Sequence, residues 1–129
     1  MAKSSSAPPV LHELEAEVMA DVWRQETATV REVMERLNEV ARKPRAYTTY
    51  MTIMARLARK GLLSRRRVGK THVYRSRLSE QEYRQGRAEH EVDAVVEQYG
   101  DLALTHFAKQ MATLDPKRRD QLRRMARRG

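Results

Sequence analysis

Apolar residues recur along most of this chain at helical spacing, and where the spacing lapses the residues are those of turns and strands. Leu11, Leu14, Val18 and Val22 repeat every three or four positions, with Met19 and Trp23 widening the stripe, which predicts an amphipathic first helix. Thr29 followed by Glu32 has the spacing of a capping box, in which each side chain satisfies a free amide at the other residue, and so begins a second helix. Val30, Val33, Met34 and Leu37 form its apolar face. Pro44 makes 41–45 a connection, because the residue before a proline is pushed out of the helical region. A third helix is predicted over 47–60, since Tyr50, Ile53, Met54 and Leu57 fall on one face and Gly61 suits its C-terminal cap. Segments 62–67 and 72–77 flank Val68-Gly69-Lys70-Thr71 and read as a hairpin, with Val73 and Tyr74 suited to the second strand.

The last third is helical again. Ser79 with Glu82 repeats the capping-box spacing, and Tyr83, Val92, Val95, Val96 and Tyr99 continue as an apolar seam to Gly100. Leu102, Leu104, Phe107, Met111 and Leu114 predict a further short helix. Asp115-Pro116 supplies the N-cap and first position of another, whose apolar positions are Leu122 and Met125. So few residues in three short helices cannot bury these side chains within one chain. A second copy is the economical cover, with Val92, Val95, Val96, Tyr99, Leu104, Phe107, Met111, Leu122 and Met125 at the dimer contact and Phe107 as its anchor. The fold class expected is mainly α with a small β-hairpin. It comprises a disordered arm over 1–10, a winged helix-turn-helix domain over 11–78 and a helical dimerisation region over 79–129.

Charge gives this scaffold a direction. The 129 residues hold 26 Lys+Arg against 17 Asp+Glu, a net charge of +9, which makes a polyanion the first partner to consider. Twelve bases fall between Arg42 and Arg77 with no acid among them. By contrast, 11–41 carry eight acids against three bases, and 78–129 carry nine acids against ten bases. A solvated surface mixes its signs, so the acid-free block suggests a folded face built for phosphates. Within it, the outer side of the third helix presents Thr48, Thr49, Met51, Thr52, Ala55, Arg56 and Arg59. Three threonines are poor helix formers, and a helix that enters the major groove offsets that cost: short hydroxyls allow close approach, Thr methyls meet thymine methyls and Arg reads guanine. The contacts expected with double-stranded DNA are Arg45, Tyr47, Thr48, Thr49, Met51, Thr52 and Arg56, and in the wing Arg65, Arg66, Arg67 and Lys70. Trp23 and Tyr50 fall on core faces, while Tyr47 and Tyr74 are open to either packing or base stacking.

Other chemistries find no residues. With no cysteine there is no disulfide framework, thiolate zinc site or thiol nucleophile. His12, His72, His90 and His106 are scattered without metal-ligand spacing, and Asp93 with Glu97 reads as a solvated pair on one helical face. No nucleophile elbow or glycine-rich phosphate loop occurs. No apolar run reaches the roughly 18 to 20 residues of a membrane span, and no apolar leader follows Met1. A cytoplasmic non-enzyme without cofactor or metal is expected. The function expected is that of a sequence-specific repressor binding an inverted repeat as a homodimer; the alternative, resting on charge alone, is a nonspecific architectural DNA- or RNA-binding protein.

The residues also resemble a known family. Leu14-Glu15-Ala16-Glu17-Val18-Met19 with Trp23, Tyr47-Thr48-Thr49 through Thr52 with Arg56-Leu57, and Lys60-Gly61-Leu62 before the wing are similar in order and spacing to the penicillinase-repressor (BlaI/MecI) type of winged-helix regulators. The resemblance implies dimeric repressors on palindromic operators, with the C-terminal helices forming the dimer. It also implies induction through a membrane-bound sensor protease, an indirect partner, and cleavage of the repressor at an Asn-Phe bond. The matching bond here joins His106 and Phe107, without the Asn. Met51 stands where other members place a base, so a different operator is expected, and the C-terminal cysteines of the copper-responsive branch are missing.

Overall fold

The computed structural model describes residues 7–128, which form six helices and a small sheet: α1 (Glu13–Gln25), β1 (Thr27–Ala28), α2 (Val30–Val40), α3 (Tyr47–Arg59), β2 (Leu63–Val68), β3 (Thr71–Ser76), α4 (Glu80–Tyr99), α5 (Asp101–Ala112) and α6 (Pro116–Arg128). The three capping signals are used as the residue types dictate. Thr29 Oγ1 accepts from the Glu32 amide while Glu32 accepts from the Thr29 amide, Ser79 and Glu82 do the same, and Asp115 Oδ1 accepts from the Arg118 amide at 2.9 Å. The hairpin turns on two residues, Gly69 and Lys70, rather than four. Gly69 at φ +63° takes the first central position, where a side chain would be strained. β1 adds a third strand, giving the antiparallel order β1-β3-β2 with Ala28 opposite Tyr74.

Two compact units divide the chain, 1–88 and 89–129. The core of the first is built from the predicted faces: Val18, Met19 and Val22 of α1, Val30, Val33 and Leu37 of α2, Tyr50, Ile53, Met54 and Leu57 of α3, with Leu62, Leu63, Ala28 and Tyr74 closing the sheet side. Tyr74 is thereby a packing residue. Trp23 donates its indole N–H to Ser76 Oγ and the Leu78 carbonyl, both at 2.9 Å, pinning the end of the hairpin to α1.

The first unit extends beyond the boundary expected at 78, and Tyr83 shows why. Instead of opening the C-terminal seam, its ring is buried, 5.5 Å from that of Trp23, and its hydroxyl donates to the Pro9 carbonyl at 2.7 Å. Pro8 lies directly over Gly86, where a Cβ would come within 2.7 Å of the proline ring. Arg87 also donates to the Pro8 carbonyl. The arm expected over 1–10 therefore has a docked portion at 7–10, while 1–6 lie outside the described residues.

Two acids of α1 are buried, and each has a basic partner. Asp21 accepts from Arg36 Nε at 3.0 and 3.1 Å and from Nη2 at 2.9 Å, tying α1 to α2. Glu15 accepts from the His12 amide at 3.0 Å and from Lys60 Nζ at 2.8 and 2.9 Å, tying α1 to the end of α3. Burial alone would raise the Glu15 carboxyl. The amide of His12 and the ammonium of Lys60 outweigh it and hold the group below its ordinary 4.5. A depressed folded value means that this stability is fully present above the unfolded value and is lost as pH falls through the folded one. Urea unfolding at neutral and at acid pH should therefore show Glu15→Gln losing less stability on acidification than the native chain; equal losses would mean the pair contributes no acid-sensitive stability.

Candidate nucleic-acid interface

The side of α3 turned away from the core is the surface on which most expected contacts meet. Thr48, Met51, Thr52 and Arg56 are exposed there, with Tyr47 exposed at the start of the helix and Thr49 half-buried at the edge. Helical periodicity puts Arg59, also exposed, in the row of Thr48 and Thr52. It shares this exposed surface although it stood outside the expected set of contacts. The start of α3 suits an anion as well: its N-cap is Ala46, which offers no side chain to the free amides, and the first turn holds no acid.

Three residues outside the expected contacts set this helix in place. Asn38 of α2 accepts through Oδ1 from the Arg45 amide at 3.0 Å and the Tyr50 hydroxyl at 2.8 Å, and donates through Nδ2 to the Arg45 carbonyl at 2.9 Å. These bonds fix the angle at which the chain enters α3. Arg31 of α2 lies over the exposed Tyr47 ring, 5.7 Å from its centroid, a cation–π contact that holds the ring and brings another guanidinium to the same edge. Lys60 anchors the other end through Glu15.

The acid-free block is not entirely free of acids in space. Lys60 is committed to Glu15, and Arg45 Nη1 lies buried 3.6 Å from Glu17 Oε1. Arg45 thus turns one guanidinium nitrogen into its own domain, while 34% of its side chain stays exposed. Arg42 and Lys43 are exposed in the loop before α3, and Arg65, Arg66, Arg67 and Lys70 are exposed on the wing. The wing arginines do not share a face. Arg65 and Arg67 stand opposite Tyr74 and His72, whereas Arg66 stands opposite Val73 on the other side of the pleat. Arg67 Nε also donates to the Gly69 carbonyl at 2.9 Å, bracing the turn.

The expected dimer residues lie in the second unit, where Ala103 is the buried apolar residue. Val92, Val95, Tyr99, Leu104 and Met125 are exposed, and Val96, Phe107, Met111 and Leu122 are half-buried. A shallow, mostly apolar groove is lined by Val92, Phe107, Gln110, Met111 and Leu114.

Three helices and a hairpin wing define a winged-helix domain, with an outward row of hydroxyls and guanidiniums on its third helix. The chain belongs to the penicillinase repressor family, whose pattern matches residues 11–128. Two curated relatives, each named transcriptional regulator BlaI and drawn from two strains of Mycobacterium tuberculosis, are 46% identical over 65 residues, 50% of this chain and 46% of the relative. The chain thus matches about half the length of these relatives. The solution structure of the DNA-binding domain of the repressor BlaI is similar with a TM-score of 0.51 and 27% identity, over 60% of this chain and 92% of that domain.

Proposed function

We propose that this protein is a cytoplasmic repressor that binds an inverted-repeat operator as a homodimer and blocks transcription by occupying the promoter. The observation that carries this reading is the outer row of α3, where Thr48, Thr52, Arg56 and Arg59 stand exposed on a helix whose other side is the domain core. A helix so divided offers short polar groups and guanidiniums to base edges, and the wing bases hold register on the phosphates. Dimerisation through the apolar residues of α4 and α5 joins two half-sites in one molecule and raises the effective concentration of the second. The bond between His106 and Phe107 lies inside α5, so cleavage there requires that helix to open.

The test is to mix the purified protein with sheared DNA from its source at near-physiological salt, then recover and sequence the bound fragments. The expected result is a small set of peaks sharing an inverted repeat, bound about 10³-fold or more above other sequences. Arg56→Ala and Thr52→Ala should each cost about 1–3 kcal/mol on the repeat and leave bulk-DNA affinity nearly intact. A flat profile, with substitutions in α3 acting equally on all sequences, would favour the architectural reading that charge alone suggests.

A further inference from the structure

The even charge of residues 78–129 conceals a segregation. Eight of their nine acids precede Pro116, whereas α6 holds Lys117, Arg118, Arg119, Arg123, Arg124, Arg127 and Arg128 against Asp120 alone. This distribution works against the helix that carries it. Lys117, Arg118 and Arg119 occupy the first turn, where the helix dipole disfavours cations, and the one acid at that end is the cap, Asp115, against three bases. Arg119 with Arg123, Arg123 with Arg127, and Arg124 with Arg128 are like charges four apart, an arrangement that destabilises a helix.

Little within the helix relieves the repulsion. Arg123 pairs with Asp120 at 3.7 Å between two well-exposed side chains, and Arg118 donates to Gln121 at 2.6 Å. No residue of α6 is buried. Its apolar positions, Leu122 and Met125, share one side; helical periodicity sets Lys117, Asp120, Arg123, Arg124 and Arg127 on the other, with Arg128 at the flank.

We propose that α6 is a second DNA-binding element, whose exposed bases Lys117, Arg124, Arg127 and Arg128 add phosphate contacts to those of α3 and the wing. A polyanion supplies the countercharge that Asp120 alone does not, and bases with no hydroxyl among them suit phosphates rather than base edges. Double-stranded DNA is the occupant because the same chain carries α3 and the basic wing; to that extent the proposal rests on the DNA-binding reading above. The contact is sequence-independent, so α6 raises affinity for all duplexes.

The test compares the full chain, a variant with Lys117, Arg124, Arg127 and Arg128 all changed to Gln, and a wing variant, Arg66→Gln with Lys70→Gln, on a mixed-sequence duplex of about 40 base pairs across a salt series. Gln keeps helix propensity, and Leu122, Met125 and the Asp120–Arg123 pair are left in place. The α6 variant should bind about tenfold or more weaker, its salt slope falling by about 0.9 for each phosphate it no longer neutralises, while light scattering gives an unchanged mass. A companion set with Arg124, Arg127 and Arg128 changed to Lys should retain the slope. In the unaltered protein, amide exchange in α6 should slow when the duplex is added. An unchanged slope in the α6 variant beside a reduced one in the wing variant would overturn the proposal and leave the DNA reading standing; two unchanged slopes would remove both. Weaker binding to single-stranded RNA or phosphatidylglycerol vesicles with duplex binding intact would also overturn it, as would α6 amides that exchange alike with and without DNA.

Discussion

Replacing Arg36 with methionine should lower the unfolding free energy by about 2–3 kcal/mol, near the lower end of the range for breaking a buried ion pair. Asp21 is only 1% exposed, and Arg36 supplies all three of its close hydrogen bonds. Methionine matches the stem of the arginine but leaves the carboxylate in the core with only Arg24, at 3.5 Å and largely in solvent. The lower end applies because Arg36 itself is 35% exposed, so its charge is not fully desolvated. Thermal unfolding should shift by about 10 °C for a domain of this size. The double change Asp21→Leu with Arg36→Met tests the cause, since removing both charges removes the orphaned carboxylate. It should recover much of the loss, whereas a double variant as unstable as the single one would show that packing of the arginine stem, not the pair, is what matters. DNA affinity measured well below the melting temperature should be unaffected.

That ion pair also marks where the sequence was legible and where it was not. Helix starts could be read because a capping box is a local device: Thr29 with Glu32, Ser79 with Glu82, and Asp115 before Pro116 each act within one turn. Apolar periodicity located the α1, α2 and α3 faces for the same reason. β1 escaped because two residues cannot show a period, and its pairing with β3 joins positions far apart in the chain. The fate of Lys60 and Arg45 escaped because a base in an acid-free run looks solvated, while their partners Glu15 and Glu17 sit on α1. Tyr83 kept helical spacing with the seam that follows, and only the docking of Pro8 and Trp23 on α4 draws it into the first unit. The α3 row was the most readable part of the site: Thr48, Met51, Thr52 and Arg56 stand exposed where periodicity put them, and the same periodicity places Arg59 among them. Arg31 and Asn38 carried no such signal. Their roles arise from the crossing of α2 with α3, which no local pattern encodes.

Leu104→Asp should convert the proposed dimer to monomers of about 15 kDa, the chain mass being 15.1 kDa, and weaken binding to the full inverted repeat by about 10²–10⁴-fold. Leu104 is the position of choice because it is half exposed in the single chain. An aspartate there therefore meets water in the monomer, and a buried, unpaired charge only in the dimer. Phe107 makes a less clean test. It is half-buried and lines the groove with Val92, Gln110, Met111 and Leu114, so a charge at 107 would disturb its own protomer as well as the partner. Along α5, Leu104, Phe107 and Met111 follow one helical stripe, matched on α4 by Val92, Val95, Val96 and Tyr99. If that joint surface is the dimer contact, the Leu104 variant keeps its helix content and its weak affinity for a single half-site, because α3 and the wing are untouched, and loses only the gain from linking two. Light scattering separates the outcomes: a halved mass with half-site binding preserved fits the two-fold repressor, and an unchanged dimer would move the contact away from α5.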